Sequence, residues 1–591
     1  MSITKECAEQ HKNAPAVVCC RTTKGTVIGP SELEDPVVLP DLVDSGLVTL
    51  PENVLTLGQV LGAKLLQDVD GLTPLTADVL EGVVEEVKEE VKEVEEKCLE
   101  NGGSKVEKVK SVVGGSFVRL SVDHMDGVNL EFPAGALSEC GLSTMPVAPA
   151  EKIEDEIVNT LTRREFAVKK VELGDVTTFE NGVLTIRKAL CEEALKADPL
   201  AKKLEIDIIN PDDRHKYSNT IMDVIPIAAK VEGQLGSGIT NIMNDVVFLL
   251  TGVDENGIQV HEFGSCEGYL DEKIDYGKPG CPDPQDIMVR VHVIIEGNTG
   301  MERRGPYAAH KACDVIIQEI REVLKKAPKE QAVKEDVFNE VVRHGRPRVV
   351  LIKEIMGQGA MHDNVMLPTE PAGVLGGRQN VDLGNVPVVL SPNEVRDGGI
   401  HALTCIGPAS KEDTRHYFRE PLLEQLADDE EVNLVGVVFI GSPQVNDEKM
   451  FVAKRLGAMA RALNVDGAII TTEGFGNNHI DFAENIQEVG KRGVNVVGVT
   501  YAAYQGQLVV GNKYMDAMIE VNKDKGGFES EILGENTIAP QDAQRAILML
   551  KTKIAGIEIE PADRKWNQAV IDANQKLVKQ AVIDANQKLV K

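Results

Sequence analysis

Between residues 432 and 502 the chain repeats one alternation: VNLVGVVFIG (432–441), MFVAKRLGAMARALN, GAIITTEG (467–474), IDFAENIQEVGKRG and VNVVGVTYA (494–502). The first, third and fifth segments are apolar without a break, so as strands they need cover on both faces. The segments between them carry apolar residues at helical spacing and can supply that cover. The expected fold is therefore α/β, with a doubly wound parallel sheet at the C-terminal side. Such sheets take ligands beyond the carboxyl ends of their strands, where the strand order reverses. Those ends fall at 441–444, 473–481 and 501–507, and the middle one gathers Glu473, Asn477, Asn478, His479 and Asp481 around two glycines. It reads as a pocket wall, with His479 and Glu473 as catalytic candidates and Asn478 and Asp481 as substrate-binding candidates. Asn478 or Asp481 can also serve as a cap for the helix that follows.

Upstream the pattern changes. Residues 1–145 read as a small β-rich N-terminal domain, its short apolar runs cut by Gly and Pro. A helical insertion is expected at about 80–110, where apolar residues at 80, 84, 87, 91, 94 and 98 mark one narrow face of a Glu- and Lys-rich segment. PVAPA (146–150) reads as a linker. Residues 151–330 hold the strand-like runs VKKVELG, GVLTIRK, LEIDIIN, IAAKVEG, DVVFLLTGV and IMVRVHVIIEG, then the helix YAAHKACDVIIQEIREVLKKA, a mixed α+β unit. Residues 345–404 open on the strand PRVVLI and continue as Gly-rich loops toward a junction at 404–405. Residues 405–555 carry the charged helix KEDTRHYFREPLLEQL and the alternation above. In the tail, 556–591, the dodecamer QAVIDANQKLVK occurs twice in succession. A twelve-residue step turns a helix by about 120°, so the copies share no face, and the tail carries no functional argument.

Composition removes several classes of function. With 94 acidic against 63 basic residues in 591, the formal charge of −31 argues against nucleic acid and anionic membranes as partners. No apolar run reaches the ~18 residues of a membrane span, and the polar start MSITKECAEQHK lacks the apolar core of a signal peptide. Ten cysteines form no C-x-x-C pair, as expected in a reducing cytosol. A cytoplasmic protein that does not span a membrane is expected. His261, Cys266, Cys281 and His292 are of zinc-ligand type but show no tight spacing. A calcium loop built on Gly71 would need ligands at Leu66 and Ala77, and the glycines at 233, 236 and 238 lack the acidic partner of a dinucleotide fingerprint. No metal is expected.

At 398–408 the sequence is GGIHALTCIGP. Glycines before and Gly-Pro after place Cys405 in a turn or loop. A cysteine so placed can face the Thr404 carbonyl, permitting an N-to-S acyl shift, loss of sulfide and hydrolysis to a pyruvoyl group. On the residues alone, a buried or incidental thiol that fills space is the favoured reading.

Three stretches carry a resemblance: HALTCIGPASKEDTRHYFRE (401–420), the early TVIGPSELEDPVVLPDLVDSGLVTLPENVLTLGQVLGAKLLQD, and the late TTEGFGNNHIDFAENIQEVGKRGVNVVGVTYAAYQGQLVVGNKYMDAM. They resemble the D-proline reductase proproteins of amino-acid-fermenting anaerobes over nearly the whole chain. The resemblance implies self-cleavage at Thr404-Cys405 into 1–404 and 405–591, which remain together, and a covalent pyruvoyl group made from Cys405. It further implies D-proline as substrate, held as a cationic iminium and opened reductively to 5-aminopentanoate. The selenolate would come from a selenocysteine-containing partner subunit, and a higher oligomer is expected. The substrate carboxylate needs a cation, for which Arg415 and His416 are the nearest candidates. Two other readings stand beside this one. One is the substrate-binding component of a glycine, sarcosine or betaine reductase, which would leave the first 145 residues unexplained. The other is an unprocessed binding or scaffold homologue with a silent Cys405.

Overall fold

In a computed structural model, the described residues are 5–81 with short gaps, strands at 117–122 and 128–133, and 154–559 apart from 258–265, 298–303, 356–363, 367–380, 404–411, 473–477, 501–509, 522–529 and positions 383 and 444. Thr404, Cys405, Glu473, the strand end at 501–507, the helical insertion beyond Glu81 and the duplicated dodecamer lie outside the described residues. The chain divides into two compact units, Met1–Val83 with Asp155–Lys591, and Val84–Glu154. Within the second, Phe117–Val122 and Val128–Pro133 form an antiparallel hairpin. Leu80 and Glu81, which the helical reading included, pair instead with Leu65 and Lys64.

The first unit is an α/β structure with mixed sheets. Its N-terminal part is held by isolated bridges such as Val17 with Pro74 and Thr22 with Val69, around a core that includes Val18, Leu33, Leu57 and Leu75. Next comes a pair of four-stranded sheets. Their strands in chain order are β1 (Glu156–Ala167), β2 (Ala201–Ile209), β3 (Ile221–Ile225), β4 (Ala228–Glu232), β5 (Gly238–Asn244), β6 (Val246–Asp254), β7 (Ile287–Ile295) and β8 (Lys334–Val342). One sheet runs β3-β6-β7-β2 and the other β4-β5-β1-β8. Helix α1 (Arg304–Leu324) lies on them, burying Ala308, Ala309, Ala312, Cys313, Ile316, Ile317 and Ile320, the three-to-four spacing that makes one apolar face.

The third sheet uses β9 (Arg348–Ile355), β10 (Val388–Leu390), β12 (Asn433–Gly441), β13 (Gly467–Thr472), β14 (Asn495–Thr500) and β15 (Met518–Glu520), in the spatial order β10-β12-β9-β13-β14-β15. The short strand β11 (Ile400–Ala402) belongs to a separate small sheet. All neighbours in the large sheet are parallel except β10, which runs against β12. The chain leaves β9 for β12 on one side and then crosses to β13 on the other, so the strand order reverses at β9. Alternate β9 residues feed separate cores: Val349 and Leu351 join Leu422, Leu426, Ala546 and Leu550, while Val350 and Ile352 join Leu456, Phe482 and Ile486. These helical residues belong to α4 (Pro421–Asp428), α5 (Asn446–Ala462), α6 (Asn478–Gly490) and α7 (Pro540–Ile554).

Two sequence expectations change here. The sheet takes β9 and β10 from 345–404, so that segment and 405–555 share one sheet. The single charged helix after the junction is two, α3 (Thr414–Phe418) and α4, separated at Arg419 and Glu420. Pro421 at the start of α4 lacks the N–H that a continuous helix would need there. All five residues of α3 are buried, the polar Thr414, Arg415 and His416 among them.

Candidate functional site

Adjacent strand residues point to opposite faces, so Lys353 and Glu354 at the carboxyl end of β9 enter different environments. Lys353 Nζ donates to Glu412 Oε1 at 2.6 Å and Glu420 Oε2 at 2.9 Å. His416 Nε2 lies 2.7 Å from Glu420 Oε2 and 3.3 Å from Glu412 Oε1. Glu420 also caps α4, its Oε1 accepting from Leu422 N at 3.0 Å. All four side chains are buried. Burial alone would raise the Glu420 carboxyl, but Lys353 and His416 outweigh it and hold the group at about 2. Burial would lower His416, but the two glutamates push it up to about 10, so the imidazole is protonated. Two cations thus face two anions.

Across the sheet, Glu354 accepts from Thr472 Oγ1 at 3.0 Å and Asn485 Nδ2 at 2.8 Å. Asp481 Oδ2 accepts from Lys449 Nζ at 2.7 Å, and Lys449 also donates to Ser442 Oγ at 3.1 Å. These groups too are buried. Burial, with Asp481 nearby, raises Glu354 well above the ordinary range against the pull of Lys449. Burial lifts Asp481 to about 7, again against Lys449. Lys449 bonds Asp481 and attracts Glu354 from further off, and the burial of both carboxyls favours their protonated forms. Asn478 and His479 open the same helix, with His479 Nε2 3.1 Å from Thr500 Oγ1 at the end of β14. The strand-end expectation thus brings Asp481, Asn478 and His479 together at the start of α6. Asp481 spends one oxygen on Lys449 rather than on a cap.

The junction is framed from both sides. Ser391 caps α2 (Pro392–Arg396), and the helix ends on Gly398 and Gly399. Gly398 takes φ +80° and donates to Val395 O, while Gly399 donates to Glu394 O, the double bond pattern that closes a helix with a left-handed glycine. The chain then enters β11, and on the far side of 404–411 Asp413 caps α3 through His416 N at 2.7 Å. The two sides meet: Ala402 N donates to Thr414 Oγ1 at 3.0 Å, and Thr414 donates through N (3.0 Å) and Oγ1 (2.6 Å) to Asp223 on β3. Asp223 also faces His310 Nε2 at 3.1 Å and His401 Nε2 at 3.4 Å, all buried. Burial would raise Asp223, but the two imidazoles keep it below its ordinary value. Burial keeps His401 neutral by lowering its pKa, with Asp223 opposing. Arg415 turns the other way, to Asp286 Oδ2 at 2.5 Å and Asp283 Oδ2 at 2.8 Å, and Arg419 Nη1 reaches Asp283 Oδ2 at 2.9 Å. The charges of Arg415 and His416 are therefore taken up by protein carboxylates.

The zinc-type residues of the sequence are not gathered: no possible metal-holding group among the described residues includes Cys266, Cys281 or His292. Cys266 and Cys281 lie in an apolar cluster, and His292 meets Thr251 Oγ1 at 3.0 Å. His261 lies outside the described residues. Sequence reasoning passed over Asp223, His310, His401, Lys353, Glu354, Glu412 and Glu420. A signal was present in the lone Asp of IMDVIPIAA, the Lys-Glu ending RVVLIKEI, and the four-residue steps from Glu412 to His416 to Glu420.

Residues 159–521 match the family model of glycine/sarcosine/betaine reductase component B subunits. A D-proline reductase proprotein, PrdA, of Acetoanaerobium sticklandii is 50% identical over 98% of this chain and 95% of its own length. The glycine reductase complex component B subunits alpha and beta of the same organism are 26% identical over 57% of this chain and 79% of theirs. The sarcosine reductase complex component B subunit alpha of Peptoclostridium acidaminophilum is 25% identical over 56% and 77%. No solved structure gives a significant match.

Proposed function

Because the chain belongs to the D-proline reductase proproteins, within the wider family of component B subunits, we propose that it is cut between Thr404 and Cys405 and that 1–404 and 405–591 together open the D-proline ring reductively to 5-aminopentanoate. The length of the match carries this reading: it takes in 98% of the chain, against 57% and 56% for the glycine and sarcosine component B relatives. The architecture supports it. Strands β9 and β10 come from 1–404 and β12 to β15 from 405–591, so a cut leaves the fragments joined through a buried sheet. The bond from Ala402 N to Thr414 Oγ1 keeps both sides of the cut in place.

The polar atoms of Asp223, His310, His401 and Thr414 converge on residues that flank 404–411 on both sides, and their chemistry suits a group made from Cys405. A pyruvoyl group there supplies a carbonyl that withdraws electrons from a secondary amine. The chain's own side chains bind and move protons. Glu354, its carboxyl raised well above the ordinary range by burial, and Asp481, at about 7, hold and release protons, with Asn478 and His479 on the same helix as Asp481. Arg415 and His416 act through the elements they fix, because their charges are already paired. The buried thiols Cys281 and Cys313 are pushed well above their ordinary pKa by burial, so neither is a ready nucleophile. A selenocysteine-containing partner subunit supplies it instead. No helix among the described residues is long and apolar enough to cross a membrane, and we place the protein in the cytoplasm, in an assembly of several copies.

Borohydride added with D-proline should leave a tertiary-amine adduct of D-proline on the 405–591 fragment without the partner. Release of 5-aminopentanoate should require the partner and a dithiol. Turnover by the two fragments alone would place the nucleophile in this chain and overturn that part of the proposal.

A further inference from the structure

His310 Nδ1 lies 2.7 Å from the Pro306 carbonyl oxygen, which can only accept, so that nitrogen carries a proton. In a neutral ring the Nε2 lone pair then faces Asp223 Oδ2 at 3.1 Å, acceptor against acceptor. A second imidazole nitrogen, His401 Nε2, stands 3.4 Å from the same oxygen. The His401 side chain is 1% exposed, and neither of its nitrogens forms a hydrogen bond among the described residues. Leaving such a buried group unsatisfied is unfavourable. A proton on His310 would settle its contact with Asp223 but leave His401 as it is. A cation settles both.

The spacing fits one. Donor atoms about 2.0–2.1 Å from a tetrahedral ion stand roughly 3.4 Å apart. The three donor atoms of Asp223, His310 and His401 all lie within 4.8 Å of one another. Two neutral imidazoles with one carboxylate select a divalent transition ion over magnesium or calcium. The contact of His310 Nδ1 with a backbone carbonyl is the outer bond that fixes a ligating ring. Glu412, His416 and Glu420 cluster equally closely, but there the ammonium of Lys353 already sits on both carboxylates.

We propose that Asp223, His310 and His401 form a binding site for a divalent transition-metal ion of the zinc class, tying β3, α1 and β11 together four residues before Cys405. Three protein donors leave a fourth position for water or another ligand. The site stands whether or not the chain is cut at Thr404-Cys405.

The test is metal content. Full-length protein should retain close to one zinc per chain after dialysis, by plasma mass spectrometry, and chelator-stripped protein titrated with cobalt(II) chloride should develop the visible bands of a low-coordinate site. His401→Ala and Asp223→Asn should lower retained zinc about tenfold or more, whereas His416→Gln should leave it unchanged. Should the first two variants not fold, zinc-edge X-ray absorption of the unaltered protein decides, since two imidazoles must appear in the ion's shell. Unaltered protein without zinc and without cobalt bands, zinc retained by both variants, or a shell without imidazole overturns the site.

Discussion

Lys353 and Glu354 are neighbours on one strand, yet the two faces of the sheet treat them in opposite ways. On one face two cations and two carboxylates balance, and Glu420 at about 2 and His416 at about 10 keep their charges across the ordinary pH range. On the other face Lys449 bonds Asp481, Glu354 has no ammonium bonded to it among the described residues, and Asp481 at about 7 stands ready to exchange a proton. Burial is the same on both sides, so the count of charges makes the difference. A balanced buried cluster fixes elements; an unbalanced one titrates where enzymes work. The balanced face holds α3 and α4 behind the junction, and the unbalanced face carries the residues proposed to handle protons.

The strongest way to break this contrast is Lys353→Met. It leaves Glu412 and Glu420 facing each other in the interior and should cost about 3–5 kcal/mol, read as a lower urea midpoint at pH 7. An unchanged midpoint would show that the cluster is not held by charge. His416→Gln is next. A raised folded pKa gives stability that is complete below the unfolded value of about 6.5 and is lost as pH rises through about 10. The variant should therefore lack the alkaline decline between those values. Glu420 runs the other way, its contribution present above about 4.3 and lost as pH falls through about 2. Arg415→Lys gives up the fork that spans Asp283 and Asp286 and should cost about 1–2 kcal/mol with activity otherwise kept. A selective loss of affinity for D-proline, at unchanged stability, would return Arg415 to a direct role.

Asp481→Asn should change stability least. A carboxyl with a raised folded pKa favours the folded state below about 3.9 and loses that contribution as pH rises through about 7. The variant should lose this slope, and the limb of the turnover profile near pH 7 should shift or vanish while fragments still form. A profile identical to that of the unaltered protein would remove the proton-handling role from this face.

Much of the large sheet was legible, because β12, β13 and β14 are unbroken apolar runs and α5 and α6 show helical spacing. β9 was visible as a strand but not as their neighbour, since strand order is set by packing across some eighty residues and leaves no local period. β1 (EIVNTLTRREFA) and β8 (KEDVFNEVV) escaped notice because their exposed faces carry charge. The strand-end rule reached Asp481, Asn478 and His479. It could not reach Asp223 or His310, which lie in apolar surroundings and gain meaning only when the fold sets them beside His401.

Mass analysis of freshly purified protein under denaturing conditions decides whether the chain is cut at Thr404-Cys405. Two chains should appear with the masses of 1–404 and 405–591, the smaller beginning with a pyruvoyl group in place of Cys405 and blocked to amino-terminal sequencing, and Cys405→Ala should give a single uncut chain. A single full-length chain that reduces D-proline would contradict the cut.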